Sequence, residues 1–252
     1  MNQETKAEVI DLSALQVACR DCTLFQLCLP IGLGEADLAR LERIIKTKRY
    51  ARRGDYIFRR GEGFRAIYAV KAGSVKTVTI AEDGREQVTG FHLPGELFGL
   101  DAIAGGSHCA SARALERTTL CEIPFDSLED FGEEVPAILR QMLRIMSREI
   151  QRDHTLAHLA NRSAEERLAA FLISISNRYR ERGFSGSEFH LTMSRSDIGN
   201  YLGLAVETVS RLFTRFQHEG LLAARSKHIQ LLDVDGLQGI AGEAVCVRGA
   251  SR

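Results

Sequence analysis

The 252-residue chain has no excess of either charge, with 33 Lys and Arg against 33 Asp and Glu. No whole-molecule field therefore draws it to nucleic acid or to an anionic membrane, and any nucleic-acid contact must come from a local patch. No apolar run is long enough to span a bilayer. The first residues, Met1 to Ile10, lack the apolar core of a secretion signal. There is no Gly-rich nucleotide loop, no nucleophile–base pair and no zincin helix. These absences predict a cytoplasmic protein that is not an enzyme and has no membrane partner. Tryptophan is missing altogether. The remainder is of ordinary globular kind, 44% hydrophobic and 26% charged, and long enough for two modest domains.

Cysteine is where the chain departs from the ordinary. It has six, and disulfides are rare in the cytosol, so these thiols read as ligands or as buried apolar groups. Three lie in the ten residues Cys19-Arg-Asp-Cys22-Thr-Leu-Phe-Gln-Leu-Cys28, with Pro30 following. So short a stretch buries no core of its own, and three thiolates close together repel unless a cation neutralises them. A soft metal, or an iron–sulfur cluster wanting a fourth ligand from elsewhere, meets that need. Half of a structural zinc site, or a reduced exposed tail, fits the spacing as well. Cys121, in the apolar run Leu120 to Phe125, is a candidate fourth thiolate. Taken alone it reads as a small buried hydrophobe. Cys109 is a rival for the same role, and Cys246 a spare thiol.

Residues 1–18 are weakly patterned. Glu35 to Lys46 reads as an amphipathic helix with Leu38, Leu41, Ile44 and Ile45 on one face. A basic segment from Arg40 to Arg60 reads as solvated surface. From Tyr50 to Phe125, short β-branched and aromatic runs alternate with turns such as Arg53-Gly54, Ala72-Gly73, Asp83-Gly84 and Pro94-Gly95, which argues a jelly-roll barrel or sandwich. An acidic link, Asp126 to Glu134, leads to Pro136, well suited to open a long helix. Along it Leu139, Leu143, Met146, Ile150, Asp153 and Ala157 recur at spacings of four and three, the pattern of a two-helix dimer seam. Arg140, Arg144, Arg148 and Arg152 form a separate row. Asp153 is out of character, because in a parallel pair two such carboxylates would face and repel each other. A core helix with Asp153 turned outward is the competing reading. His154 and His158 lie one turn apart and read as solvated.

Ser163 to Arg182 reads as another helix, closed by Gly183. Ser194 with Asp197 makes a capping-box start for a helix to Leu202. Gly203-Leu204-Ala205 turns the chain into a second helix, Val206 to Gln217. Ile198, Gly199, Leu202, Gly203, Val209 and Leu212 supply the close approach, the tight turn and the filled angle of a helix-turn-helix. Base reading then falls to the exposed start of the second helix, Glu207, Thr208, Ser210 and Arg211. Arg211 can donate two bonds to guanine and Glu207 can accept from cytosine N4, while Arg215 suits a phosphate. The alternation through His228 to Leu232 reads as a wing hairpin.

From about Cys19 to about Leu232 the chain resembles the FNR branch of the CRP/FNR transcription regulators, cytosolic oxygen sensors of bacteria. The strings that carry the likeness are CRDCTLFQLC, TGFHLPGELFG, LCEIPF, AEERLAAF and SRSDIGNYLGLAVETVSRL. The resemblance implies an α+β chain: an N-terminal jelly-roll sensor barrel, a long dimerisation helix and a C-terminal winged helix-turn-helix. The expected parts are a cluster-binding segment (1–30), the sensory domain (31–134), the dimerisation helix (135–160), the DNA-binding domain (161–240) and a tail (241–252). It further implies that Cys19, Cys22, Cys28 and Cys121 hold one [4Fe–4S] cluster per subunit, converted by oxygen to [2Fe–2S]. Glu207, Ser210 and Arg211 match base-reading residues for TTGAT-type half-sites of double-stranded DNA, bound by a homodimer whose pairing needs the intact cluster. The Glu82-Asp-Gly-Arg85 turn resembles a surface that meets RNA polymerase. The sister branch binds cyclic AMP, with a Glu on ribose and an Arg-Ser pair on phosphate. Here Glu96 survives but His108-Cys109 supplies no guanidinium, so a cyclic nucleotide is disfavoured. A zinc-stabilised, small-ligand-gated regulator of the same family is the alternative.

Overall fold

Glycine turns cut the middle of the chain into eight strands: β1 (Lys46–Ala51), β2 (Tyr56–Phe58), β3 (Ala66–Ala72), β4 (Val75–Ile80), β5 (Glu86–His92), β6 (Leu97–Phe98), β7 (Ser111–Ala114) and β8 (Thr118–Pro124). The computed structural model describes residues 19, 22, 28, 33–81, 84–159 and 161–242. The strands form two antiparallel sheets, ordered β1-β8-β3-β6 and β2-β7-β4-β5, packed as the expected jelly-roll sandwich. Alternate residues fill the space between the sheets, among them Ile57, Phe58, Tyr68, Val70, Val75, Phe98 and Leu120. At the β3–β4 turn Gly73 has φ +81°, and a Cβ there would stand 2.6 Å from the Arg117 carbonyl oxygen. Only glycine meets both conditions.

The other face of the first sheet carries a second apolar layer. Ile67, Ala69, Leu97 and Ile123 meet Leu41 of α1 (Glu35–Ile44), Leu128 and Phe131 of α2 (Phe125–Glu134), and Ile138 and Met142 of α3 (Pro136–Leu159). The acidic stretch is therefore helix α2 and not a link. Leu128, Phe131 and Gly132, spaced by three and four, turn inward, while the carboxylates line the solvent side. Asp126 in its first turn suits the positive end of the helix dipole. Arg40 pairs with Glu134 and ties α1 to α2.

Beyond α3 come α4 (Ala164–Glu181), β9 (Glu188–His190), α5 (Arg195–Leu202), α6 (Val206–His218), β10 (Leu222–Arg225), β11 (His228–Leu231) and α7 (Val234–Ala241). Ser163 and Glu166 close a capping box on α4. The wing hairpin β10–β11 gains a third strand, β9, whose three residues are too few to announce themselves by alternation. Helix α7 packs Leu237 and Ala241 into the core, giving structure to a stretch that carries little sequence signal. One apolar cluster joins the two halves: Val78, Val88, Phe91 and Leu93 of the barrel pack with Leu168, Phe171 and Leu172 of α4. Among the described residues no helix is long and apolar enough to cross a membrane.

Candidate functional sites

Cys121 lies mid-strand in β8, opposite Ala69 of β3. Its neighbours Leu120 and Ile123 are fully buried on opposite faces of the sheet. Strand alternation thus puts Cys121 on the helix-covered side, where it and Cys28 border the same apolar layer as Leu41 and Ile67. Cys19 is near enough to feel Cys121. Burial, joined by Cys121, Glu42 and Cys22, pushes the Cys19 thiol up to about 12, against a partial pull from Lys71. Ionised thiols are the ligand form, so these sulfurs need a compensating cation to lose their protons. That demand fits a metal–sulfur core. Among the described residues no three His, Cys, Asp or Glu side chains gather closely enough to hold a single ion. A four-iron core asks for something different, one thiolate for each iron. Cys109 is exposed, its N–H spent on Asp101, and it is not among the groups acting on Cys19. Cys246 lies outside the described residues.

The cysteine segment also reaches the long helix. Gln141 of α3, 2% exposed, donates through Nε2 to the Cys28 carbonyl at 3.3 Å. The face of α3 bearing Ile138, Gln141 and Met142 is buried. Its seam side is open, with Leu139 44%, Leu143 65% and Ile150 53% exposed. Met146 is half-buried, and Asp153 and Ala157 are exposed. Burial and the Glu149 carboxylate raise the Asp153 pKa, against the pull of His154 and Arg152. An apolar stripe this exposed on one helix is the form an unpaired dimer face takes. Of the arginine row, Arg152 turns inward to Glu96 instead of standing in solvent with the others.

In the C-terminal half the two-helix corner forms as its residues require. Ser194 caps α5 in a reciprocal box with Asp197, and Gly203 takes the left-handed turn at φ +65°. A Cβ on Gly199 would lie 2.6 Å from the Leu204 carbonyl oxygen, so this close crossing excludes every other residue. Glu207, Ser210 and Arg211 are exposed on the first turns of α6, and Thr208 is partly covered. Arg211 is steadied by a 3.3 Å bond from its Nη2 to Thr208 Oγ1, and Ser210 folds its hydroxyl onto the Val206 carbonyl. Arg215 is exposed as well, its guanidinium held by Glu219 at 2.7 Å and Glu165 at 2.9 Å in surface ion pairs.

The nucleotide position is also filled from within. Glu96, buried, is ringed by Arg178, Arg182 and Arg152 at 2.5, 2.6 and 3.0 Å. Burial alone would raise its carboxyl, but the three guanidiniums hold it well below the usual carboxylate range. The His108 ring stacks on Phe58 with centroids 3.6 Å apart, and Asp101 accepts the N–H groups of Cys109 and Ala110. A carboxylate thus stands where a phosphate would need a cation. Sequence reasoning missed the Glu96 cluster, because its arginines lie far along the chain. Of the turn proposed to meet RNA polymerase, Glu82 and Asp83 lie outside the described residues, while Gly84 takes φ +81°.

The chain resembles known proteins along nearly its whole length. Residues 48–134 match the cyclic nucleotide-binding domain family and residues 166–240 the Crp-like helix-turn-helix domain family. The chain is 48% identical to the transcriptional activator protein Anr of Pseudomonas protegens, over 91% of this chain and 95% of that one. It is 47% identical to the fumarate and nitrate reduction regulatory protein of Escherichia coli K12, over 90% and 91% of the two chains. Among solved structures, FixK2 from Bradyrhizobium japonicum aligns with a TM-score of 0.72 at 31% identity, covering 78% of this chain and 97% of its own.

Proposed function

Since the chain belongs to the FNR branch of the CRP/FNR family of DNA-binding transcriptional activators, we propose that it senses oxygen through one [4Fe–4S] cluster per subunit. Cys19, Cys22, Cys28 and Cys121 hold that cluster. Its loss weakens homodimerisation, and with it binding to two-fold symmetric operators of TTGAT-type half-sites in the cytoplasm. The observation that carries this reading is the nearness of Cys19 to Cys121, which joins the amino-terminal thiols to a strand about a hundred residues away in buried surroundings hostile to uncompensated thiolates. When bound, the cluster supplies the positive charge that those thiolates need and the lability to oxygen that makes the site a sensor.

The chain's own residues provide the rest. Gln141 links the Cys28 backbone to α3, so the position of the thiol segment bears on the helix that carries the seam. Leu139, Leu143, Met146 and Ile150 supply the apolar contact between subunits, and Asp153 opposes it. A shift of a few kcal/mol moves so balanced an equilibrium nearly end to end. Pairing sets two α6 helices about one DNA turn apart, which single chains cannot do. Glu207, Ser210 and Arg211 then face base edges. RNA polymerase is the partner through which a bound dimer activates transcription. The ring of arginines around Glu96 and the stacking of His108 speak against a cyclic nucleotide as the signal.

Protein purified without air should show the absorbance of a [4Fe–4S] cluster, about four irons per chain, and a dimer mass, with that four-iron absorbance and the dimer mass lost on exposure to air. A dimer indifferent to air would end the oxygen reading. Zinc without iron or sulfide would favour the zinc-stabilised alternative. Separately, Asp153→Ala should strengthen pairing in air by about 1–3 kcal/mol, the order of cost of like charges forced together at an interface. Facing carboxylates repel only when ionised, so lowering the pH through the range of this carboxyl, which burial and Glu149 set above the ordinary value, should act the same way. Sedimentation equilibrium measures both effects, and an unchanged dimer constant for Asp153→Ala would take Asp153 out of the seam.

A further inference from the structure

Glu96 sits in the β5–β6 turn, whose backbone is fastened to β3 by bonds from the Gly95 N–H to Val70 and from the Val70 N–H to Glu96. Its carboxylate also accepts the Leu93 N–H at 2.8 Å. The anion is therefore a fixed point of the barrel. Onto it converge Arg152 from α3, Arg178 from α4 and Arg182, the residue that caps α4's C-terminus. Arg178 grips both carboxylate oxygens, at 2.9 and 2.5 Å, and donates as well to the Phe91 carbonyl. Arg182 donates to the Pro94 carbonyl. One anion thus joins the sensor barrel, the pairing helix and the first helix of the DNA-binding half. Three guanidiniums share one buried carboxylate only when all three elements are in this arrangement. Elsewhere each would regain its hydration, and Glu96 would be left buried and unpaired.

A second set of contacts lies across the same face. Lys76 of β4 meets Asp197 of α5 at 2.8 Å, with both side chains mostly covered. The Val88 N–H of β5 donates to Asn200 Oδ1, and Asn200 donates to the Glu86 carbonyl at 2.6 Å. Phe91 packs between Phe171 and Tyr201 at centroid distances of 6.1 and 5.1 Å. All of these contacts lie on the flanks of α4 and α5. Glu207, Ser210 and Arg211 of α6 remain exposed. The docked pose leaves these side chains uncovered by the barrel.

We infer that Glu96 is a positioning residue for DNA recognition: held by Arg152, Arg178 and Arg182, it locks the DNA-binding half onto the barrel and ties that pose to the pairing helix. A two-arm operator is bound well only if both recognition helices arrive already oriented, because a freely swinging domain must first be ordered. The inference rests on the operator reading above, and its test separates the two.

The full chain is purified without air as parent, Glu96→Gln and Glu96→Asp. Each is titrated with a duplex of two TTGAT-type half-sites and with a duplex of one, its mass is measured, and amide exchange is followed at Val88. Glu96→Gln should keep the dimer mass and the one-arm affinity, lose at least tenfold in two-arm affinity, and exchange the Val88 amide at least tenfold faster. Glu96→Asp, which keeps the charge, should recover most of both. If Glu96→Gln fails to fold, Arg178→Lys serves, because it keeps a charge and loses the two-oxygen grip. Two-arm affinity and Val88 exchange both equal to the parent's would overturn the assignment. If the parent itself fails to bind the duplex, the operator reading is at fault, and Val88 exchange still decides for or against Glu96.

Discussion

Cys121→Ser, prepared without oxygen, should fold like the parent and yet bind a two-arm operator at least a hundredfold more weakly. The folding half of this expectation follows from place and size. Cys121 is one mid-strand residue, half-buried beside Ala69, and a hydroxyl replaces a thiol with little change of volume. The cost to the barrel is about 1 kcal/mol, the ordinary cost of a modest polar change at a partly covered site. The binding half follows from ligand count. A serine hydroxyl is not ionised at neutral pH and is a poor partner for iron, so three thiolates would be left for a four-thiolate core. Without that core the equilibrium between chains returns to the side set by Asp153. A swing from nearly all paired to nearly all single corresponds to about 5.5 kcal/mol. The hundredfold loss asks for only about 2.8 kcal/mol of that, at about 1.4 kcal/mol per factor of ten. Iron content, thermal melting and fluorescence anisotropy on one preparation test the whole chain of reasoning. Parent-like affinity with the iron gone would break it, and so would an unfolded barrel, which would mean that Cys121 is needed for packing.

Arg211→Ala should cost about 1–3 kcal/mol in each arm, hence about 2–6 kcal/mol for the dimer, and should relax the preference for guanine at one position of each half-site. The side chain is exposed on the second turn of α6, steadied by Thr208, and among the described residues no carboxylate pairs with it that DNA would have to displace. Arg215 offers the contrast. Glu165 and Glu219 already hold it, so Arg215→Ala should weaken binding less, and equally for all sequences. Glu207→Ala should relax choice at the cytosine position, with a smaller loss because exposed carboxylates also repel phosphates. Anisotropy on duplexes with single base changes distinguishes these outcomes. A uniform loss for Arg211→Ala across all sequences would make it a phosphate contact and would reassign the reading helix.

Features written locally could be read from the residues alone. Gly199 and Gly203, the Ser194–Asp197 box and the turns at Gly73 and Gly84 each dictate a backbone within a few residues, and the helix-turn-helix and the sandwich follow from them. Helix α2 was obscured because its charge, all of one sign, drew attention from Leu128 and Phe131, whose spacing of three was the true signal. The three residues of β9 give alternation nothing to work with. What was wholly illegible is what joins remote parts. The partners of Glu96 lie 56, 82 and 86 positions away, and those of Arg215 include Glu165, 50 positions off. No periodicity encodes such meetings, which exist only once the sheets and helices are stacked.

Helix α3 is a rigid rod of 24 residues, about 36 Å from end to end. Gln141 grips it in its second turn and Arg152 about three turns further on. A tilt of about five degrees pivoted at Gln141 would carry Arg152, about 16.5 Å along the axis, sideways by about 1.4 Å, half a hydrogen-bond length. Sub-ångström adjustments beside the sulfurs are thus magnified by leverage alone, and the mechanical gain is set by the number of helical turns between the two grips. Shortening the rod by one turn would change that gain while leaving the angular phase of everything it carries nearly as it was.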